Sequence, residues 1–283
     1  AWSFSALRSD HPNSHATDLE RVALREHSAL SLQALNLAEQ AQGMMFPVFD
    51  FERQRLAHGM FRHAISLDDK FFGGYAGASQ TLVILGLFNP DKNASARQLR
   101  EAAELAERAV ELAPSNAWAI AANAQGLAGL HEYPAAIKRA QLALDLAPND
   151  GHVLDLVGMA AILANDPELA AMASDPERTR NGPGRFGSRN VWGVSQLMLG
   201  KYENAIEAFS GAAAAGAPIS APSLLFQAVA HDQLGEKDKS EALLLEMRST
   251  WPDFPAAFVV DVVFHDGTSL KREILRILEA DQQ

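Results

Sequence analysis

The sequence predicts an all-α solenoid of helical hairpins, and three observations carry that prediction. A pattern of small and apolar residues recurs about every 34 residues. Each recurrence is preceded by a second helix-compatible stretch with a small residue near its middle. The chain is rich in alanine and poor in tyrosine and tryptophan, with 3 Tyr and 4 Trp in 283 residues, which favours helix over sheet.

The repeat is clearest in "REAAELAERAVELAPSNA" and "PAAIKRAQLALDLAPNDG". Ala102, Ala106, Ala109 and Pro114 in the first match Ala136, Ala140, Ala143 and Pro148 in the second. The same frame falls on Ala57, Phe61, Ala64 and Asp69, then on Ala205, Phe209, Ala212 and, one residue late, Pro218. A last copy is Ser240, Leu244, Met247 and Pro252. The 45 residues from Ala64 to Ala109 fit one unit plus an insertion in "NPDKNASARQ".

Before each frame lies another helix: "GGYAGASQTLVILG", "AWAIAANAQGLAGL", "GHVLDLVGMAAILA", "SRNVWGVSQLMLG" and "APSLLFQAVAHDQLG". Ser79, Ala124, Gly158, Gly193 and Ala228 sit near their centres and let a partner helix approach closely. Gly200 and Gly235 follow in "LGKYENA" and "LGEKDKS", where a left-handed residue ends the first helix of a hairpin. One unit departs from the frame. After Ala170 the expected positions are Ser174 and Glu177, and "SDPERTRNGPGRFG" cuts the second helix short.

This pattern resembles the tetratricopeptide repeat, through Trp192-Gly193, Gly200-x-Tyr202, Ala205-x3-Phe209 and Ala143-x4-Pro148. The resemblance implies a right-handed superhelix of about six hairpins over residues 37–253. An N-terminal segment and helix occupy 1–36 and a C-terminal cap 254–283. Thr17-x2-Glu20 reads as a capping box for the N-terminal helix. Asp266-Gly267 marks a turn before a final amphipathic helix with Leu270, Ile274, Ile277 and Leu278 on one face. Terminal repeats need such a cap. More narrowly, "MFRHAISLDDKFFGGYAGAS", "LMLGKYENAIEAF" and "WPDFP…SLKREILRILEA" resemble the C-terminal repeat region of bacterial class III adenylate/guanylate cyclases and related winged-helix regulators. In those proteins the repeats are regulatory and the catalytic or DNA-binding domain lies elsewhere.

Several function classes are set aside. The formal net charge of −11 opposes nucleic-acid or anionic-membrane binding through overall charge. The absence of cysteine removes disulfides, thiolate metal sites and cysteine nucleophiles. No stretch is apolar enough to insert in a membrane. The start, "AWSFSALRSD", lacks both a signal-peptide pattern and an initiator methionine, so the expectation is a fragment or a processed chain in the cytoplasm. Gly182-Pro183-Gly184-Arg185-Phe186-Gly187 spells G-x-G-x-x-G, but no strand precedes it. It is read as an inter-repeat loop rather than a phosphate cradle, and no cofactor is expected. Arg178, Arg180, Arg185 and Arg189 concentrate positive charge in that loop, either as solvated residues or as an anion or partner patch. Among 9 histidines, His58 and His63 are five apart and do not share a helix face. No H-E-x-x-H or G-x-S-x-G occurs, so neither a metal site nor catalysis is expected.

The remaining candidate is the concave face. The resemblance implies that the first helix of each hairpin lines a groove for a protein or peptide. Carried onto this chain, the candidates are Gln80, Trp118, Gln125, His152, Asp155, Met159, Asn190, Val194 and Phe226. None is Lys or Arg, so the carboxylate clamp of some relatives is not expected, and an apolar or helical partner fits better. Other readings are ordinary core for several of these residues, or a small-ligand sensor with its pocket inside the superhelix. The expected function is a non-catalytic interaction scaffold, the regulatory part of a bacterial signalling protein.

Overall fold

The computed structural model describes residues 29–46, 48–177, 188–214 and 216–280. These form fourteen helices and no strand. Twelve of them pair in succession: α1 (Ala29–Met44) with α2 (Phe51–Leu67), α3 (Phe72–Leu87) with α4 (Lys92–Leu112), and α5 (Ala117–Gly129) with α6 (Tyr133–Leu146). Then α7 (Gly151–Leu163) pairs with α8 (Pro167–Ser174), α9 (Ser188–Met198) with α10 (Tyr202–Ala214), and α11 (Ala221–Gln233) with α12 (Lys237–Thr250). Two further helices close the chain, α13 (Ala256–Val263) and α14 (Ser269–Ala280).

Several helices begin where short polar side chains can take up orphan backbone N–H groups. Asp91 accepts from the amides of Asn93 and Ala94, Asn116 from Ala119, and Asp150 from His152 and Val153. Asn116 and Asp150 follow Pro114 and Pro148 by two residues, so the recurrent proline turn also carries the cap of the next hairpin. Ser220 and Ser223 cap α11 reciprocally.

Two helix classes result. The second helices are amphipathic: α4 buries Leu99, Ala102, Leu105, Ala106 and Ala109 and leaves its other faces to water. From α3 onward the first helices touch their own partner, the preceding hairpin and neighbouring first helices, so α3, α5, α7 and α11 are mostly buried, whereas α1 buries only Ala34, Ala38 and Ala41. In α5 only Leu127 escapes burial. Small residues make this packing feasible. A Cβ on Gly193 would lie 2.8 Å from two carbons of the Phe209 ring, and one on Gly77 would lie 2.1 Å from Phe61 Cε1. The close approach at Gly158 is of a different kind. Its nearest neighbour is Val191 Cγ1 at 3.1 Å, on the next hairpin, with its own partner helix further away.

The fourth hairpin is the irregular one. Helix α8 ends at Ser174 after eight residues, as the broken frame predicts. The G-x-G-x-x-G stretch, Arg178, Arg180 and Arg185 lie outside the described residues, as does the Thr17 capping box. Arg189 is described. Its guanidinium rests over α10, where a Cβ on Gly211 would lie 2.9 Å from Nη1.

The superhelix curls until its end meets its middle. Helix α13 packs on both α11 and α7. His265 Nε2 lies 2.7 Å from the carbonyl oxygen of Leu163, and the His265 ring stacks on Tyr133 at 4.6 Å. Phe264 meets Phe226 edge-on at 5.5 Å. Helix α14 is amphipathic as predicted, with Ile274 and Ile277 buried and Leu270 and Leu278 half-buried.

Candidate functional site

The inner face of the curl is assembled from the first helices, and it is not an open groove. The connection from α1 to α2 is apolar and folds inward. Arg53 Nε donates to the Met44 carbonyl at 3.2 Å, Gln54 Nε2 donates to the Met45 carbonyl at 2.6 Å, and Phe49 packs edge-on against Phe88 at 5.1 Å. From the opposite end Val263 of α13 reaches the same space. Between them remains a cavity of about 330 Å³. That is near the lower end of the range for small-molecule sites, roughly 300–1,000 Å³.

Eight of the nine candidates line this cavity: Gln80 from α3, Gln125 from α5, His152, Asp155 and Met159 from α7, Asn190 and Val194 from α9, and Phe226 from α11. Trp118 does not. It is 7% exposed, its ring held between Phe72 at 5.7 Å and His152 at 5.1 Å, and its indole N–H donates to Gln80 Oε1 at 3.3 Å. Trp118 therefore stands behind the wall and orients two side chains that form it.

The polar groups of the wall are under-partnered. Gln54 Oε1, Gln125 Oε1, Asn190 Oδ1 and His152 Nε2 are buried and have no hydrogen-bond partner among the described residues. Gln125 Nε2 has only the thioether of Met159, at 3.3 Å. Burial pushes the His152 imidazole below the ordinary histidine range, against a smaller upward pull from Asp150, so the ring is neutral at pH 7. Among the described residues no Lys or Arg lines the cavity.

Sequence reasoning missed Gln54, the inward connection and Val263. Gln54 carried a readable signal. It lies three residues before Ala57 on the stripe Ala57, Phe61, Ala64, so an amide sits where the helix turns its buried face inward. The connection carried none, because nothing local says on which side an apolar loop will settle.

No group of three or more His, Asp or Glu among the described residues could hold a metal ion. No described helix is long and apolar enough to cross a membrane. The cavity serines are committed: Ser220 and Ser223 bond to each other and to the α11 backbone.

No family model and no curated protein matches the chain in sequence. Solved structures do match in fold. One is the anaphase-promoting complex (APC/C) hetero-tetramer Cut9–Hcn1, with a TM-score of 0.60 and 13% identity over 94% of this chain and 45% of that one. The type IV pilus biogenesis factor PilW gives 0.53 and 14%, over 81% and 97%. Pseudomonas aeruginosa PilF gives 0.50 and 15%, over 88% and 99%. The chain is a tetratricopeptide-like helical-hairpin solenoid. At these identities the likeness is one of fold, and this chain spans less than half of the Cut9–Hcn1 chain it matches. In this tetratricopeptide-like solenoid the interior is narrowed by the α1–α2 connection and by Val263 of α13.

Proposed function

We propose that this chain is a non-catalytic interaction scaffold, the regulatory region of a bacterial signalling protein acting in the cytoplasm, and that its interior responds to a small ligand. One observation carries the reading. The concave face that would receive a partner helix is occupied by Met45, Phe46, Val48 and Phe49 and by Val263 of α13, and what remains is a cavity of small-molecule size lined by Gln80, Gln125, His152, Met159, Asn190, Val194 and Phe226. The resemblance to cyclase-linked and winged-helix-linked repeats supports a regulatory role, with any catalytic or DNA-binding domain elsewhere. A ligand that binds only the folded chain raises its melting temperature in proportion to concentration over Kd. Thermal melts against a panel of uncharged and charged metabolites test this. Melting unchanged by every compound overturns the ligand reading, and turnover of any of them by the isolated chain overturns the non-catalytic one.

A second reading is supported by the comparison with Cut9–Hcn1, itself a hetero-tetramer. A protein or peptide enters the concave face after α13 and α14 move aside. Under this reading a chain ending at residue 254 binds a partner peptide that the full chain excludes. Equal binding by both forms places the contact on the outer surface.

A further inference from the structure

We infer that the cavity takes a small uncharged molecule with an apolar body and at least one hydrogen-bond donor, and that it rejects anions. The inference rests on the interior-ligand reading and names the ligand class. Its body would lie against Ile84, Leu156, Met159, Val194 and Phe226, all of which line the cavity.

The donor requirement comes from which atoms are left over. The Gln54 amide nitrogen is committed to the Met45 carbonyl, so the group without a partner is the oxygen. The Gln125 nitrogen faces the Met159 sulfur, again leaving its oxygen alone. Asn190 Oδ1 is a third such acceptor. Gln54 is 1% and Gln125 2% exposed, so water does not compensate them freely. Buried polar atoms are normally paired, and several orphans around one cavity call for partners that a molecule held there can supply. An acceptor pairs only with a donor.

The charge preference follows from the same wall. An anion would lose its hydration to meet amide oxygens and the Asp155 carboxylate, with no Lys or Arg among the described lining residues to replace it. His152, neutral through burial, supplies no countercharge. A cation would need an unpaired carboxylate, and Asp155 is already engaged.

Three probes of one size separate the possibilities on the full chain at pH 7: 1-octanol, which donates, methyl heptyl ether, which cannot, and octanoate, which is anionic. Titration calorimetry and thermal melts are expected to rank octanol roughly tenfold above the ether, the worth of one buried hydrogen bond, with octanoate giving no shift. Removing the acceptors by Gln54→Met, Gln125→Met and Asn190→Leu, singly, is expected to erase the octanol preference in at least one variant. Ether affinity should be kept, and the melting point of the ligand-free chain should hold or rise in the Gln125 and Asn190 variants as an orphan oxygen is lost. If all three probes stabilise the chain alike, or the preference survives all three substitutions, the donor inference is wrong while the interior-ligand reading stands. If none of the three stabilises it, both fall.

Discussion

The middle of the solenoid and its C-terminal end are held by different physics. Around α5 every residue but Leu127 is buried, and helices meet through alanine and glycine at van der Waals distance. At α14 only Lys271, Ile274 and Ile277 are buried, and charge does part of the work: the Lys271 ammonium lies 2.9 Å from Asp261 and 2.7 Å from Asp266, while Arg276 reaches Asp232 of α11 at 3.1 Å. The middle therefore answers to volume, since close-packed cores do not absorb added or missing atoms. The end answers to pH and salt. The two also touch, because α13 packs on α7, so weakening the end uncovers the cavity.

The largest expected effect is in the middle. Trp118→Ala removes a ring packed between Phe72 and His152 and the hydrogen bond to Gln80, and should lower stability by about 3–5 kcal/mol. Chemical denaturation measures it. A tryptophan presented to an open groove would leave stability nearly unchanged, so a small loss would break the distinction between wall and support.

Next come the glycines. Gly193→Leu adds a side chain where a single Cβ already sits 2.8 Å from Phe209, and should cost about 1–3 kcal/mol or more. Gly158→Leu is instead a test of the contact between hairpins, because the atom it meets is Val191 Cγ1. In a denaturation series the two should be non-additive, because Val191 and Gly193 sit two residues apart on α9 and either substitution pushes on that helix. Additivity within about 0.5 kcal/mol would mean that α9 absorbs the two changes independently.

At the end of the chain the expected effect is smaller and depends on pH. Burial lowers the Lys271 pKa, but Asp266 and Asp261 outweigh it and hold the ammonium above the ordinary lysine range. The Lys271 hydrogen bond in turn holds Asp266 below the usual carboxylate range. The depressed carboxylate contributes stability above its unfolded pKa and loses it as pH falls through the folded one. The raised ammonium contributes below its unfolded pKa and loses it as pH rises through the folded one. Protection factors of the α14 amides, which correct for the intrinsic pH dependence of exchange, should fall on acidification into the carboxylate range and again at strongly alkaline pH. Lys271→Met should flatten both arms. Equal acid sensitivity in that variant would mean that other carboxylates hold the cap.

Much of the middle was legible in the sequence. Ala57, Phe61 and Ala64, then Ala102, Ala106 and Ala109, recur because each second helix shows the same face to the same kind of neighbour, and all of them are fully buried. The inner-face candidates were legible for the same reason: a repeat fixes which side of the first helix looks inward. The closure was not. The bond between His265 and Leu163 spans 102 residues, and no local pattern encodes the cumulative curl that brings them together. Trp118 misled because a single residue, about 100° of rotation, separates the inward face from the faces toward the neighbouring first helices. A large aromatic is equally at home on either.

The smallest expected effects lie in the hairpin turns, which both regions share but fill differently. At the end of α11, Gly235 has φ +78° and the Glu236 N–H reaches back to the His231 carbonyl at 3.0 Å. At the end of α7, Asn165 takes the same turn with φ +56°, and the Asp166 N–H reaches the Ala161 carbonyl at 2.9 Å. Left-handed backbone is strained by a Cβ, less so for asparagine, whose short polar side chain tolerates it. Gly235 has open space around its missing Cβ, so Gly235→Ala isolates the backbone term and should cost about 1–2 kcal/mol. Asn165→Gly relieves mild strain but loosens the unfolded chain, and the two should nearly cancel, leaving a change within about 0.5 kcal/mol. Asn165→Ala should then resemble Gly235→Ala in size. If denaturation shows Asn165→Gly to be clearly destabilising, the asparagine side chain contributes a contact of its own. The turn in the middle of the solenoid would then be held by side-chain packing, like the helices around it, and not by backbone geometry alone.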